Sequence, residues 1–250
     1  MSGHSKWANI KHRKGRQDAK RGKIFTRLTK EITIAAREGG GDPDMNPRLR
    51  LAIQNAKAEN MPSDNIKRAI QKGTGEIEGV NYEEITYEGY APCGVAVILE
   101  TVTDNKNRTT AEIRSNFSKL GGNMAETGAV AWNFDRKGVI TIKTLNHTED
   151  DLLEHVLESG ADDMEYDTEN TRIITALDKY GTVNKYFTEK GFQVIESKLE
   201  YIAKTYVSID NENDARRIMK LIEFFEEHDD VQNVFANFDI KEEILEKITN

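Results

Sequence analysis

Apolar residues recur at helical spacing between Ile24 and Gly73. Ile24, Leu28, Ile32 and Ala35 fall at i, i+4, i+8 and i+11, one face of a helix that Gly39-Gly40-Gly41 ends. Asn46-Pro47 reads as a cap and a first helical position, and Leu49, Ile53 and Ala56 give the stripe of a second helix, broken at Met61-Pro62. Ser63 is expected to cap a third, short helix whose Ile66, Ala69 and Ile70 face inward and whose exit is Gly73. Three such helices make a thin unit that needs neighbours to cover its apolar face.

Beyond Gly79 the period shortens toward that of strands. Residues 139–143, 148–159, 164–167, 172–176, 177–190 and 192–196 read as β-α-β-β-α-β, a split βαβ of ferredoxin-like order. The flanking pieces give the same order when joined: strand 95–102, helix 109–120, strand 129–134, then strand 203–209, helix 212–228 and strand 231–238. Residues 82–90 add a further strand and 241–249 a terminal helix. The predicted fold is α+β, an N-terminal three-helix domain followed by two ferredoxin-like βαββαβ domains, one inserted in the other. Its expected divisions are a mobile basic arm at 1–23, a helical domain at 24–78, a discontinuous α/β domain at 79–136 plus 200–240, an inserted α/β domain at 137–199 and a tail at 241–250.

Charge changes this picture from architecture to function. Residues 1–75 hold 17 Lys+Arg against 7 Asp+Glu, net +10; the other 18 basic and 36 acidic residues give the remainder net −18. Residues 1–37 alone carry 11 basic and 2 acidic residues, a density that neutralises phosphates and releases their counterions. Lys6, Lys11, Arg13, Lys14, Arg16, Lys20, Arg21 and Lys23 are therefore candidate nucleic-acid contacts, with Trp7 placed to stack on a base and Asn9 to hydrogen-bond. Arg27 and Lys30 on the first helix extend the set.

Two loops are further candidates. Thr103–Thr109 joins a strand to a helix; Thr109 with Glu112 has the spacing of a capping box, and Lys106, Asn107, Arg108 and Thr109 surround a helix start suited to an anion or RNA backbone. Gly121, Gly122, Asn123, Met124, Glu126, Thr127 and Gly128 form a flexible loop at the other end of that helix, roughly 18 Å away, so the two loops suit different parts of one large partner. Trp132 and Phe134 alternate as on a strand, where packing against a helix is the favoured reading over a stacking platform. The single cysteine, Cys93, makes no internal disulfide, and His4, His12, His147, His155 and His228 lack ligand spacing, so no metal and no cofactor are expected. No catalytic set stands out, so no enzyme is expected, and no run reaches the ~18 apolar residues of a membrane span. A cytoplasmic monomer is the simplest expectation.

Several runs are recognisable: GHSKWANIKHRK at 3–14, MPSDNIKRAIQKGTG at 61–75, YEGYAPCGVAV at 87–97, TDNKNRT at 103–109 and GGNMAETGAVAW at 121–132. On these the chain resembles the YebC/PmpR family, which includes the mitochondrial translational activator of cytochrome c oxidase subunit I. The resemblance implies three domains, one helical and two α/β, and a regulator of gene expression. It further implies either ribosome association that helps translation through proline runs, or transcriptional control by binding DNA. Cys93 and Ala125 stand where the family more often has glycine. The expectation is a non-enzymatic protein whose partner is ribosomal RNA, with duplex DNA as the alternative.

Overall fold

A computed structural model describes residues 18–249. Its first helix, α1, spans Asp18–Gly39 and begins six residues before the predicted start at Ile24. Once a helix is nucleated each added residue costs little. The predicted boundary between arm and helix therefore moves into the arm. Helix α2 (Pro47–Ala58) starts as predicted: Asn46 accepts from the Leu49 N–H at 3.0 Å, and its buried amide donates to the carbonyls of Ala35 (2.7 Å) and Gly40 (2.9 Å). One side chain thus starts α2 and fastens it to the end of α1. Helix α3 (Ser63–Thr74) differs slightly from expectation, since Pro62 occupies the cap and Ser63 is the first helical residue.

Gly73 lies inside α3 instead of ending it. A Cβ there would collide with the Thr33 carbonyl of α1 and come within 2.7 Å of the Ala36 Cβ, so the glycine lets two helix backbones touch. The helix ends one residue later, and Gly75 supplies the left-handed cap at φ 80°. Ile32, Ala35, Leu49, Ala52, Ala56, Ile66 and Ala69 are buried together as this unit's core.

The first sheet contains β1 (Glu83–Tyr90), β2 (Ala96–Thr103), β3 (Asn123–Ala125) and β9 (Val231–Ala236), in the order β3-β1-β2-β9. Helix α4 (Lys106–Lys119) follows β2 and α7 (Glu212–Glu226) precedes β9. Alternation along β2 splits its side chains: Val97 and Leu99 join Ile113, Phe117, Ile218, Ile222 and Phe225 under the helices, while Ala96 and Ile98 meet Val130, Phe134 and Phe235 on the opposite face. Buried on both sides, β2 is the centre of the unit.

The α+β class and the leading helical unit are as predicted, but the first sheet is assembled differently from expectation. The strand read over 82–90 is an inner strand, and residues 129–134 are no strand of this sheet: Ala131–Asn133 form a short 3-10 turn and Phe134 opens β4. The alternation of Val130, Trp132 and Phe134 imitates a strand, yet the buried carboxylate of Glu88 accepts from the N–H groups of Gly128 (2.6 Å), Val130 (2.7 Å) and Ala131 (2.9 Å) and closes them into a loop. Those donors are no longer available to a ladder.

The second sheet contains β4 (Phe134–Lys143), β5 (Asp163–Glu165), β6 (Asn170–Thr175) and β7 (Val194–Ala203), in the order β5-β6-β4-β7 with every pair antiparallel. That is the ferredoxin-like order predicted from 139–196. Helices α5 (Glu149–Ser159) and α6 (Tyr180–Glu189) bury Leu152, Val156, Val183 and Phe187 on Ile140, Ile142 and Ile173. Thr148 and Asp151 form a capping box at the start of α5. The predicted strand 203–209 divides: Ala203 ends β7, and β8 (Val207–Ile209) pairs in parallel with β10 (Phe238–Ile240). The terminal helix α8 (Glu242–Thr249) buries Leu245 in the first unit's core. Among the described residues no helix is long and apolar enough to cross a membrane.

Candidate nucleic-acid interface

Lys6, Trp7, Asn9, Lys11, Arg13, Lys14 and Arg16 lie outside the described residues, and for Lys20 and Arg21 only the backbone, helical in α1, is described. Lys23, Arg27 and Lys30 follow at i, i+4 and i+7, one stripe of α1. That stripe faces the C-terminal end of α7, where backbone carbonyls and acids gather. The Lys23 ammonium is 3.8 Å from the Asp229 carboxylate, and the Arg27 guanidinium donates to the Glu226 carbonyl. A helix C-terminus carries partial negative charge, so a cationic stripe docks there favourably. Burial, together with the neighbouring charge of Arg27, holds the Lys23 pKa below its ordinary value.

Lys30 is a correction to the predicted contact set. It is 7% exposed, and its ammonium donates at 3.0 Å to the carbonyls of Val102 and Asp229 and to the Asp230 carboxylate. All three N–H donors have protein acceptors, so Lys30 joins the helical unit to the first sheet instead of meeting phosphate.

The loop at 103–109 converges on the same carboxylate. Arg108 donates to Asp230 at 2.8 Å and to Asp104 at 2.9 Å, and the buried Thr109 hydroxyl donates to Asp230 at 2.7 Å. The cap of α4 is Asn105, whose side chain accepts from the Arg108 N–H at 3.1 Å. The predicted capping box of Thr109 with Glu112 is thus replaced, because Thr109 sits within α4 and its hydroxyl is drawn to Asp230. Burial opposes ionisation of Asp230, but bonds from Arg108, Thr109 and Lys30 outweigh it and hold the carboxyl well below the usual carboxylate range. Lys106 and Asn107 remain exposed; Arg108 and Thr109 are committed to this acid. Glu112, His228 and Asp230 bring ligand atoms within 4.8 Å of one another, but the Asp230 oxygens are already filled by cations and hydroxyls, and His228 Nδ1 accepts the Asp230 N–H at 3.2 Å. That donor set makes an ion-pair lock, not a metal pocket.

A second lock uses Arg48, partly buried on α2, which donates to Glu31 (2.9 Å) and Glu38 (2.6 Å) of α1 and to Glu84 (2.5 Å) of β1. Burial works against the charged form, and the bonds to Glu84 and Glu31 raise its pKa above the ordinary value nonetheless.

The loop at 121–128 is more ordered than its composition implies. Asn123 and Met124 belong to β3, paired with Tyr90 and Gly89, and Gly128 is tied to Glu88. Ala125 pairs with Glu88 in extended backbone, so the position has no need of glycine. Cys93 has φ 64°, the left-handed region that favours glycine. Beyond this loop, neither aromatic meets the expectation of packing against a helix: Phe134 is buried with Ala96, Ile98 and Phe235 on the sheet face away from the helices, and Trp132 is 69% exposed.

Sequence reasoning missed the exposed cations of the other two helices. Lys57 on α2 and Lys67, Arg68 and Lys72 on α3 are exposed and have no carboxylate partner among the described residues. Their signal was present in the sequence, as the polar positions between the inward Ile66, Ala69 and Ile70. By contrast, the cavity of about 590 Å³ between the second sheet and β10 is lined by Glu149, Asp163, Glu165 and Asp239, a setting that repels a polyanion.

Comparison with known proteins places this arrangement. The chain is 52% identical to a "Probable transcriptional regulatory protein" of Dictyoglomus turgidum over 250 residues, covering all of both chains, and 54% identical to one of Koribacter versatilis, covering 99% of each. The crystal structure of a conserved hypothetical protein from Aquifex aeolicus superimposes with a TM-score of 0.86 at 46% identity, covering 91% of this chain and 94% of that one. Residues 5–76 match the TACO1/YebC N-terminal domain and residues 82–238 the second and third domains, so the chain belongs to the TACO1/YebC family.

Proposed function

We propose that the protein is a non-enzymatic, nucleic-acid-associated regulator of gene expression that docks its helical unit and basic N-terminal segment on ribosomal RNA, assisting elongation through difficult stretches such as proline runs. The observation that carries this reading is the division of labour among cations. Those at the seam, Lys30, Arg48 and Arg108, are consumed by carboxylates, whereas Lys57, Lys67, Arg68 and Lys72 have no acidic partner among the described residues, on the unit that continues from the basic segment 1–37. Free cations release phosphate counterions; paired ones do not. The acidic remainder, net −18, is repelled by the same polyanion and orients the docking.

Ribosomes pelleted in near-physiological salt should carry the protein with them, and replacing Lys11, Arg13, Lys14 and Arg16 by Ala should leave it in the supernatant. A wild-type chain that stays in the supernatant overturns the proposal.

A second reading is supported by α3 and by the relatives' names. Helices α2 and α3 are joined by a short turn, and α3 exposes Asn65 and Arg68 beside a half-buried Gln71, residue types that read base edges in the major groove of DNA. A footprint on a defined promoter that survives excess competitor DNA would select this reading, because phosphate contacts alone discriminate little.

A further inference from the structure

We propose that Trp132 is a rigid stacking platform for one unpaired nucleobase, an inference that rests on the nucleic-acid reading above. An indole 69% exposed leaves a large apolar face in water, an arrangement that needs a reason. Here the surrounding structure holds it in place. The Trp132 indole N–H donates at 3.0 Å to the Ala129 carbonyl, which also accepts from the Tyr90 hydroxyl at 3.1 Å. Before the ring, Glu88 fixes the backbone through the N–H groups of Gly128, Val130 and Ala131. After it, the buried Asn133 accepts the Thr205 N–H at 3.1 Å and donates to the Thr205 carbonyl at 3.0 Å, while the Asn133 carbonyl accepts from the Lys204 N–H at 2.7 Å. The ring therefore loses little freedom when something lies on it.

Its chemistry selects the occupant. The only polar atom of the side chain is satisfied internally, so the ring presents a π face and no donor. A protein contact built on tryptophan sits within a wider apolar patch, but the exposed residues near this ring in sequence, Glu126 and Thr127 of the loop and Asp135 and Arg136 of β4, are polar or charged. A lone ring of this kind fits an unpaired base, whose own polar edge stays in water, and it accepts any base because each has a π face. Lys204, whose ammonium is 3.2 Å from the Trp132 carbonyl and 3.0 Å from the exposed Asp135, stands beside it as a cation that a phosphate can draw away from a weak surface pair. Duplex nucleic acid keeps its bases stacked and offers this ring nothing.

The chain has two tryptophans, so Trp7→Phe in the full-length protein leaves Trp132 as the sole reporter. Titration with a single-stranded oligoribonucleotide should quench its emission, and a duplex of equal length should not. Trp132→Ala in the otherwise unchanged chain should weaken single-strand binding roughly tenfold to hundredfold, measured by anisotropy of labelled RNA, and Trp132→Phe should restore most of it. RNA binding with unaltered Trp132 emission, or equal affinity in Trp132→Ala, overturns the platform while the function proposed above stands. A response to ribosomal proteins and none to RNA overturns it in favour of a protein contact. Failure of the wild-type chain to bind RNA in any form overturns both.

Discussion

Asp230 gathers Lys30 from α1, Arg108 and Thr109 from α4 and, through a 3.2 Å bond, Thr103 from the end of β2. Removing its charge leaves Lys30 buried beside a neutral partner, and breaking a buried pair from one side costs about 3 kcal/mol or more. Asp230→Asn should therefore lower unfolding stability at pH 7 by about 3 kcal/mol in urea titrations. The pH dependence follows from the depressed pKa. An ionised Asp230 stabilises the fold above the ordinary carboxylate value of about 4, and the contribution is lost as pH falls from there toward the folded-state value. The gap between wild type and Asp230→Asn should be full at neutral pH and shrink below about pH 4; a gap that widens in acid would remove the ion pair from the explanation. None of this was legible in the sequence, because Lys30 reads as one more cation on a basic helix while its partner lies 200 residues away.

Among elements, the contact of α1 with α3 is decided by the absence of a side chain. Gly73→Ala should gain about 1 kcal/mol of helix propensity but force the two backbones apart, a net loss of about 2 kcal/mol. Gly22→Ala is the matched control: Gly22 sits in α1 with nothing within 4 Å of an added Cβ, so there the propensity gain of about 1 kcal/mol should appear alone. Chemical denaturation of the two variants side by side tests this, and equal shifts would refute the close-approach argument. Elements whose pattern is local were readable in advance, including the Asn46-Pro47 start of α2, the helix read over 148–159 and the four strands of the second sheet. Residues 129–134 were misread because alternation is a local signal, whereas the Glu88 carboxylate that closes the loop lies 42 residues earlier than Val130. The candidate site divides the same way. Charge density exposes the basic segment in the sequence, but whether a cation is free or spent is a property of its neighbours in space.

For the whole molecule, the separation of free from spent cations sets how binding responds to salt. If Lys67, Arg68 and Lys72 each neutralise a phosphate, replacing all three by Ala should flatten the slope of log affinity against log salt by about 2 to 3, with sequence preference unchanged. An unaltered slope would show that this face of α3 stays in solvent. Replacing Lys30 would give no such change in slope, only a loss of stability, which separates the two classes of cation by experiment.

The second sheet is joined along the chain to the rest of the molecule at Phe134 and Ala203, which are cross-strand partners at one end of β4 and β7, and touches it again where the Asn55 amide of α2 donates to the Ser197 carbonyl at 3.3 Å. Paired residues of antiparallel strands lie about 5 Å apart at their Cα atoms, so the 134–203 stretch departs from and returns to nearly one point. The remainder of the molecule spans the same short gap whatever is built between those two residues. A segment joined in this way can change length with little change in chain-closure entropy elsewhere, so the register of Lys30, Arg48 and Asp230 does not depend on how much chain the second sheet contains.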